Sequence, residues 1–507
     1  MGGNYEKSVY NQLMEVMDKL NTMEADQKRS RRELKSLTSE VDSLRKENTA
    51  LREEVCALKE KNHVLEERNI CLEKENQLLR DDNERMKRNL NNDSSNSSIP
   101  PSREQKGKSP NQYNGRQKNG RKAGAQPGHK GHSLTRKEVE EKIRCGLYRH
   151  RVEEIGDPGK AYVTRYRLDL EIRPVATEIR IYADENGKFQ IPPQLRAEVT
   201  YGETVRAIVA FLYSEGVVAN DRICTLINSI SGDSLGLSTG SVYEFCRKFS
   251  AACASQKAIL EEEVLNAREI YTDATVIKTN GKQSYIRNFS TEKSVVYYSS
   301  EKKDLETLER FRILKEFTGT LIHDHETALY HFGTGHGECN VHLGRYLQKN
   351  TEETKNQWSR NLRSFLNGMN EARKKRKEAG YRNFEVSKIE LYEKRYDELI
   401  EQGLKENANT KGRVAKKEEK ALLNRLKKYK ENHLLFLKDF DIHYSNNMSE
   451  KDLRICKSRQ KMAGGFRTEA GREMYCDIIS CIETIKRRGL NIYQSIIGLM
   501  AGTPVMK

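Results

Sequence analysis

Two short runs of the sequence place an aspartate at the end of a stretch that favours a β-strand. The first covers residues 270–273 and ends on Asp273, and the second covers residues 320–324 and ends on Asp324. In open α/β sheets, ligands and reactive groups collect at the carboxyl ends of strands. A third carboxylate, Glu450, stands far downstream at a predicted helix start, so that folding would have to bring it to the other two.

Three converging carboxylates repel one another, and a bound divalent cation removes that penalty. Mg²⁺ prefers oxygen ligands and keeps several waters, so that a few carboxylates and the phosphate oxygens of a substrate suffice. A pair of Mg²⁺ (or Mn²⁺) ions roughly 3.5 to 4 Å apart can activate an attacking oxygen and stabilise a leaving one at phosphorus. We therefore predict Asp273, Asp324 and Glu450 as metal ligands and catalytic residues.

Each acid also has a purely structural interpretation. An aspartate at a strand end is most often a turn or cap residue, and Asn447-x-x-Glu450 has the form of a capping box. A separate group holds residue types that bind zinc, namely His331, His336, Cys339 and His342. Their spacing lacks the two pairs and intervening loop of zinc fingers, so that zinc is not the expected metal.

The charge of the chain indicates its partner. Among 507 residues, 90 Lys and Arg outnumber 74 Asp and Glu, for a net charge of +16. Such an excess draws a protein to polyanions, and DNA is the leading candidate. No run approaches the roughly 18 apolar residues of a membrane span, and the ten cysteines form no CxxC pair, as is typical of reduced cytoplasmic thiols.

Residues 1–90 carry a seven-residue repeat that predicts a coiled coil. One core position is occupied by Leu37, Leu44, Leu51, Leu58, Leu65, Leu72, Leu79 and Met86. The other core position holds asparagine repeatedly, at Asn48, Asn62, Asn69, Asn76 and Asn83. Buried asparagines opposite leucine layers favour a parallel two-stranded coil, so that we expect a homodimer or a larger assembly.

A basic segment without a core follows the coiled coil. Residues 91–140 are poor in apolar residues and are predicted to be a disordered linker. Lys122, His129 and Lys130 are candidate contacts to DNA, and a merely solvated linker is the alternative. Residues 141–198 alternate apolar and polar residues, which predicts a small β-rich module.

The rest of the chain is predicted to be α/β, with Ser238 as the N-cap of a helix that ends at Phe249 and with one helix, residues 305–317, before the strand ending at Asp324. Residues 199–264 form a helical unit of helix-turn-helix form with Arg247 as a candidate DNA contact, although bundle cores contain similar helix pairs. Residues 265–343 and 441–507 are the two parts of a ribonuclease-H-like catalytic domain, and residues 344–440 are a helical insertion. A basic run in the last part could hold DNA phosphates or remain a solvated loop: Lys457, Arg459, Lys461 and Arg467.

Motifs spread over most of the chain resemble those of the DDE transposases of the insertion sequence 66 family. They are QPGHKGH at 126–132, YTD at 271–273, C-x-x-H-x-x-R at 339–345 and N-N-x-x-E-x-x-x-R at 446–454. By position, the resemblance assigns the acidic triad to Asp273, Asp324 and Glu450. It implies a Mg²⁺-dependent enzyme that cuts the terminal inverted repeats of an element and joins them to target DNA, in the bacterial nucleoid and with accessory proteins.

The sequence departs from that family at three places. Only Cys145 stands where relatives carry paired zinc-binding cysteines, so that residues 141–198 are a degenerate form of that region. Ala274 and Lys451 replace residues that are commonly Glu and Arg. A non-catalytic dimeric DNA-binding regulator or a decayed transposase copy is therefore the alternative, and a nuclease that cuts without joining is a third interpretation.

Overall fold

The computed structural model describes residues 3–90, 134–157 and 160–503. The chain divides into two compact units, of which the first is built on the N-terminal helix and the second on the rest of the chain. Lys122, His129 and Lys130 lie outside the described residues.

The N-terminal unit is one continuous helix, α1, from Gly3 to Leu90. Its heptad leucines lie on the surface of the single chain, where Leu37 is 58% exposed and Leu65 is 57% exposed. An apolar stripe of this length is normally covered by another helix. The predicted helical extent of residues 1–90 agrees with the structure, and its pairing into a coiled coil stays a prediction.

The segment after the linker differs from the predicted β-rich module. Helix α2, Arg136–Arg144, begins with a capping box formed by Thr135 and Glu138. In the described part of residues 141–198 there is only one isolated β-bridge, between Ala183 and Phe189. The apolar residues of the alternating runs are exposed, as at Tyr162, which is 89% exposed. A sequence that alternates apolar and polar residues forms a β-strand only where a neighbouring strand pairs with it and an apolar surface packs against its apolar face.

Three helices lead from this segment to the sheet: α3 Glu203–Ser214, α4 Asn220–Ile230 and α5 Thr239–Leu265. Ser238 caps α5 as predicted, because its Oγ accepts a hydrogen bond from the backbone N–H of Ser241. Helix α5 continues well beyond the predicted end at Phe249 because Leu260 and Val264 are fully buried in the sheet's core. The apolar faces of α4 and α5 are thus part of the main core.

The sheet has five strands in the order β3-β2-β1-β4-β5. Strand β1 pairs antiparallel with β2 and β2 with β3, whereas β4 lies parallel to β1 and β5 parallel to β4. The strands are β1 Glu269–Thr279, β2 Lys282–Ser290, β3 Val295–Ser300, β4 Thr320–His323 and β5 Gly335–Glu338. The architecture is therefore mixed α/β, as predicted.

The connection from β3 to β4 is two short helices, α6 Leu305–Leu308 and α7 Arg312–Glu316, where one helix was predicted. The break lies at Phe311, whose backbone is extended. This lets the buried Phe311 ring stack on Tyr298, with 5.0 Å between ring centroids. The packing of this one aromatic side chain thus outweighs the helical spacing of the apolar residues, which favoured a single helix.

Asp273 lies in the middle of β1, so that the prediction of a strand ending at this residue was wrong. Strand β1 continues to Thr279 because its antiparallel pairing with β2 runs along its whole length from Tyr271. Its parallel pairing with β4 ends earlier, at Tyr271 and Ile322. Asp273 and Asp324 each stand two residues beyond that last pair, at the same level of neighbouring strands.

The predicted insertion is helical and contains its own core around Trp358. Its helices are α8 Asn340–Thr354, α9 Gln357–Glu378, α10 Val386–Ala408, α11 Arg413–Lys428 and α12 Lys430–Lys438. Four further helices return to the sheet: α13 Asn447–Asp452, α14 Arg454–Ala463, α15 Glu469–Arg487 and α16 Ile492–Met500. Ser480 and Thr484 of α15 accept hydrogen bonds from backbone N–H groups of β3. None of the described helices is long and apolar enough to cross a membrane.

Candidate active site

Asp324 is the first residue after β4, at the edge where the parallel strands end. Its side chain is 22% exposed. Its Oδ1 atom is buried and accepts no hydrogen bond from any described residue. The next residue, His325, has a φ of +54°, a left-handed conformation that a residue other than glycine rarely adopts. The chain therefore turns sharply at the carboxylate.

Glu450 lies on α13, and the capping box considered as its structural alternative is not formed. The N-cap of α13 is Asn446, without a side-chain capping hydrogen bond. The Asn446 side chain instead donates to the carbonyl of Thr272 on β1, at 2.9 Å. Ser449 donates to Asn288 on β2, at 2.7 Å, and is fully buried. These hydrogen bonds hold the short helix against β1, which carries Asp273, and against the neighbouring β2.

Two residues at the start of α8 complete the group. Cys339 is 1% exposed and His342 is 7% exposed. The Nδ1 atom of His342 lies 3.0 Å from Asp324 Oδ2 and 3.5 Å from Glu450 Oε1. One donor atom from each of Asp324, Cys339, His342 and Glu450 lies within 4.8 Å of the others. Folding thus brings Asp324 and Glu450 together, and a thiol and an imidazole join them.

Asp273 is adjacent to this group without being one of its four members. Its Oδ1 accepts a hydrogen bond from the backbone N–H of Ala274 at 2.7 Å, and its own N–H donates to Asn288. Burial and the negative charge of Asp324 raise the pKa of Asp273 to about 6. The two carboxylates are therefore close enough to repel each other.

His342 supplies a positive charge beside the carboxylates. Burial lowers the pKa of His342, but its interactions with Asp324 and Cys339 outweigh burial and raise this pKa to about 11. The Oε1 atom of Glu450 is, like Oδ1 of Asp324, buried without a hydrogen-bond partner among the described residues. Unsatisfied buried carboxylate oxygens are costly, and a divalent cation would satisfy them. The residues present therefore fit a divalent metal ion.

Sequence reasoning missed Cys339 and His342 as neighbours of the acids. Their spacing of three residues puts them on one face of a helix, and they also belong to the C-x-x-H-x-x-R motif. The other members of the proposed zinc group lie elsewhere. His336 Nδ1 lies 3.3 Å from His323 Nε2, and His331 is exposed.

The predicted DNA contacts fall into different environments. Lys457, Lys461 and Arg467 are exposed on or after α14. Arg459 is 6% exposed and donates to the carbonyl of Val218 at 2.9 Å. Its guanidinium lies inside the fold, so that Arg459 is left out of the proposed DNA surface.

Arg247 lies on the surface of α5 and is paired with Glu244 of the same helix, at 2.8 Å. Such exposed pairs contribute little to stability. Arg247 can therefore exchange this partner for a phosphate at little cost.

A second buried carboxylate, Glu338 at the end of β5, organises the surroundings of Asp324. His325 Nδ1 lies 2.9 Å from Glu338 Oε1, and Arg425 of α11 and Tyr330 also pair with this carboxylate. His433 Nε2 of α12 lies 3.2 Å from it. Burial alone raises the pKa of Glu338, but His325, His433 and Arg425 hold it far below its usual range. The residue after Asp324 is thereby tied to two helices of the insertion.

Comparison with known proteins gives one family. Residues 198–474 match the family model described as "Transposase IS66 family". No curated protein matches the chain. The matched segment includes Asp273, Asp324 and Glu450, together with the sheet and the helical insertion. Because the match covers more than half of the 507 residues, the chain belongs to the IS66 family of transposases.

Proposed function

We propose that this chain is a DDE transposase that cuts the ends of an insertion sequence and joins them to target DNA. Proteins of a transposase family cut and join DNA in general. The observation that carries the finer proposal is the convergence of Asp324 and Glu450 into one group within 4.8 Å. These residues are separated by the whole helical insertion in the sequence, so that only tertiary packing brings them together.

Asp273, Asp324 and Glu450 would hold the Mg²⁺ (or Mn²⁺) ions. Such ions, when bound, activate an attacking oxygen and stabilise a leaving oxygen at phosphorus. The chain's own contribution is position: β1 and the β4 terminus hold the two aspartates at one level, and Asn446 and Ser449 fix the helix of Glu450. In the proposed reaction the attacker is first water and then a freed DNA 3′-hydroxyl.

The strand arrangement supports a ribonuclease-H-like catalytic domain. That fold begins with three antiparallel strands and then adds strands parallel to the first, which is the order β3-β2-β1-β4-β5. The proposed aspartates lie on the central strand β1 and directly after β4. Helices α8–α12 enter after β5, so that the third acid comes from the part that follows them.

Exposed basic residues support a path for DNA beside the site. Helix α14 follows α13 directly and carries Lys457 and Lys461 on its exposed surface. Arg467 follows Phe466, whose backbone N–H donates to the carbonyl of Lys278 at the end of β1, at 2.8 Å. These cations would hold phosphates, which position DNA without reading its sequence. Arg247, Lys122, His129 and Lys130 are further proposed contacts.

The exposed apolar stripe of α1 supports assembly of at least a homodimer through a parallel coiled coil. A dimer would present two catalytic units to the two ends of one element. Accessory proteins of the same element and a location at the nucleoid complete the proposal.

The decisive test compares Asp324→Asn with the wild type on labelled element ends in the presence of Mg²⁺. We expect the variant to bind the terminal repeats normally and to cut no strand, because it loses an anionic ligand. Asp397→Asn is a matched control, since Asp397 is 56% exposed on α10 and forms an ion pair with Lys430. Cutting by purified Asp324→Asn would overturn the assignment. Binding without cutting by the wild type would favour the regulator or a decayed copy.

A further inference from the structure

The group beside Asp324 contains donor atoms that Mg²⁺ does not require. Mg²⁺ sites use carboxylate, phosphate and water oxygens, whereas this group adds the Sγ of Cys339 and the Nδ1 of His342. The backbone N–H of Asn446 donates to Cys339 Sγ at 3.2 Å and fixes the position of the sulfur. His342 Nδ1 is buried without a hydrogen bond of normal geometry to any described residue.

The distances within the group suit a small four-coordinate site. With one sulfur ligand, zinc bonds of about 2.0 Å to nitrogen or oxygen and about 2.3 Å to sulfur make tetrahedron edges of about 3.3 to 3.5 Å. The two edges from His342 Nδ1 are 3.0 Å to Asp324 Oδ2 and 3.5 Å to Glu450 Oε1. The longest separation in the group is at most 4.8 Å. A shift of about 1 Å therefore closes the group around one ion.

We propose that Asp324, Cys339, His342 and Glu450 bind a thiophilic divalent ion such as Zn²⁺ more tightly than Mg²⁺. We further propose that this ion blocks strand cutting, because the ion occupies two of the three proposed catalytic acids. This second part rests on the function proposed above. Sulfur and imidazole donors favour zinc over magnesium. From the sequence, Cys339 and His342 were grouped with His331 and His336 instead of with the acids, and zinc was therefore not expected. Grouping Cys339 and His342 with the acids reverses that expectation.

Binding requires one local rearrangement and a release of protons. Arg345 Nη1 lies 3.0 Å from His342 Nε2, which carries a proton both in the imidazolium and in a ring that binds an ion through Nδ1. Two N–H donors therefore face each other, so that Arg345 has to turn away. Arg345 is only partly buried, which leaves room for this movement. The thiol and the imidazolium each give up a proton to solvent as the ion binds.

Cobalt spectroscopy tests the binding without DNA. Full-length protein is titrated with Co²⁺ in a background in which Cys56, Cys71 and Cys145, the exposed cysteines, are replaced by serine. We expect one Co²⁺ per chain, with a thiolate-to-cobalt charge-transfer band that Zn²⁺ removes and excess Mg²⁺ does not. Cys339→Ser should lose the band, whereas Cys456→Ser, at an equally buried cysteine outside the group, should keep it.

Affinity gives the size of the effect. Loss of a partner outside the ligand shell typically costs about 10- to 100-fold in metal affinity, so that loss of the sulfur ligand should weaken Zn²⁺ binding by at least about 100-fold. If Cys339→Ser loses the native circular dichroism spectrum, Cys339→Ala takes its place. A band that persists without Cys339, or its absence from natively folded wild-type protein, overturns the proposal.

The functional part is measured separately, as the Zn²⁺ concentration that halves Mg²⁺-dependent cutting. We expect this concentration to rise in Cys339→Ser relative to the wild type. An unchanged value would overturn the inhibitory role. A cobalt band in a protein that cuts no DNA would contradict the transposase proposal while leaving the metal site supported, so that the two failures are distinguishable.

Discussion

At the scale of single residues, the main feature is a concentration of negative charge that the fold does not fully compensate. Asp273 and Asp324 stand at one level of neighbouring strands, and Glu450 approaches from α13. His342 lies between Asp324 and Glu450 and offsets part of that charge. In the protein without metal, Asp273 is therefore held in an unfavourable environment when it is ionised.

Removing the charge of Asp273 should stabilise the metal-free protein. Because the folded pKa of about 6 lies above the ordinary aspartate value of 3.8, the folded state binds the proton more tightly, and stability falls as pH rises through this range. We expect Asp273→Asn to increase the free energy of unfolding by roughly 1 to 3 kcal/mol at pH 7.5 and by less at pH 5. Thermal denaturation in a chelator at both pH values measures this.

Mg²⁺ supplies the control for that measurement. The ion should stabilise the wild type more than Asp273→Asn, since the variant lacks one ligand. If the gain in the free energy of unfolding of Asp273→Asn is the same at pH 5 and at pH 7.5, the proposed repulsion is contradicted.

At the scale of elements, a buried carboxylate connects the later helices of the insertion to the site. Glu338 ends β5, and it contacts His325 of the turn after Asp324 as well as Arg425 and His433 of the insertion. The insertion is therefore more than an appended unit. It supplies the positive charge that allows Glu338 to be buried and the turn to hold its left-handed residue.

Glu338→Gln should be strongly destabilising. The substitution leaves Arg425, whose side chain is 15% exposed, beside a neutral partner. Breaking a buried pair in this way typically costs about 3 to 5 kcal/mol. Glu393→Gln is the matched control, because Glu393 pairs with a Lys438 side chain that is 45% exposed, and such pairs contribute about 1 kcal/mol or less. Equal melting temperatures for the two variants would show that Glu338 does not hold the insertion against the turn after Asp324.

At the scale of the whole molecule, two extended features bear on the proposed assembly and on DNA binding. The N-terminal helix exposes a continuous apolar stripe, and the chain as a whole carries a net charge of +16. The first predicts self-association and the second predicts binding to a polyanion. Both properties can be measured without catalysis.

Replacing core leucines of the heptad should dissociate the protein. In the double variant Leu51→Asp and Leu58→Asp, two layers of the proposed coiled coil acquire buried charges, and we expect the dimer dissociation constant to rise at least about 100-fold. Lys59→Asp changes the neighbouring position, outside the apolar stripe, and should remain dimeric. Sedimentation measures both, and a variant that sediments like the wild type would refute pairing through α1.

DNA binding should weaken with salt according to the number of phosphates that the protein neutralises. Replacing Lys457 and Lys461 with alanine should reduce the slope of log affinity against log salt by about 0.9 for each duplex phosphate that is no longer neutralised. Arg459→Ala should instead lower the melting temperature, because Arg459 packs over the Tyr213 ring at 4.4 Å. Fluorescence anisotropy at several salt concentrations gives the slopes. An unchanged slope in the double variant would remove α14 from the DNA surface.

Local patterns in the sequence were sufficient for several elements. The heptad register predicted the helix that ends at Leu90, Ser238 predicted the start of α5, and the run ending at Asp324 predicted β4. The two helices depend on neighbours within a few residues, and these are visible in the sequence itself. Strand β4 also needed β1 and β5 as partners. The prediction for residues 141–198 was wrong because no such partner strands pair with the alternating runs there, and a local pattern does not supply them.

By itself, the sequence determined the excess of positive charge and the long apolar stripe, and it predicted which acids would form the site. Only the tertiary structure decided that Asp273 lies inside a strand, that Glu450 meets Asp324 and that Cys339 and His342 join them. It also decided that Arg459 is buried while Lys457 and Lys461 are exposed. These outcomes depend on which distant surfaces pack together, because burial and hydrogen bonding between α13, α8 and the sheet select positions that no short-range pattern contains.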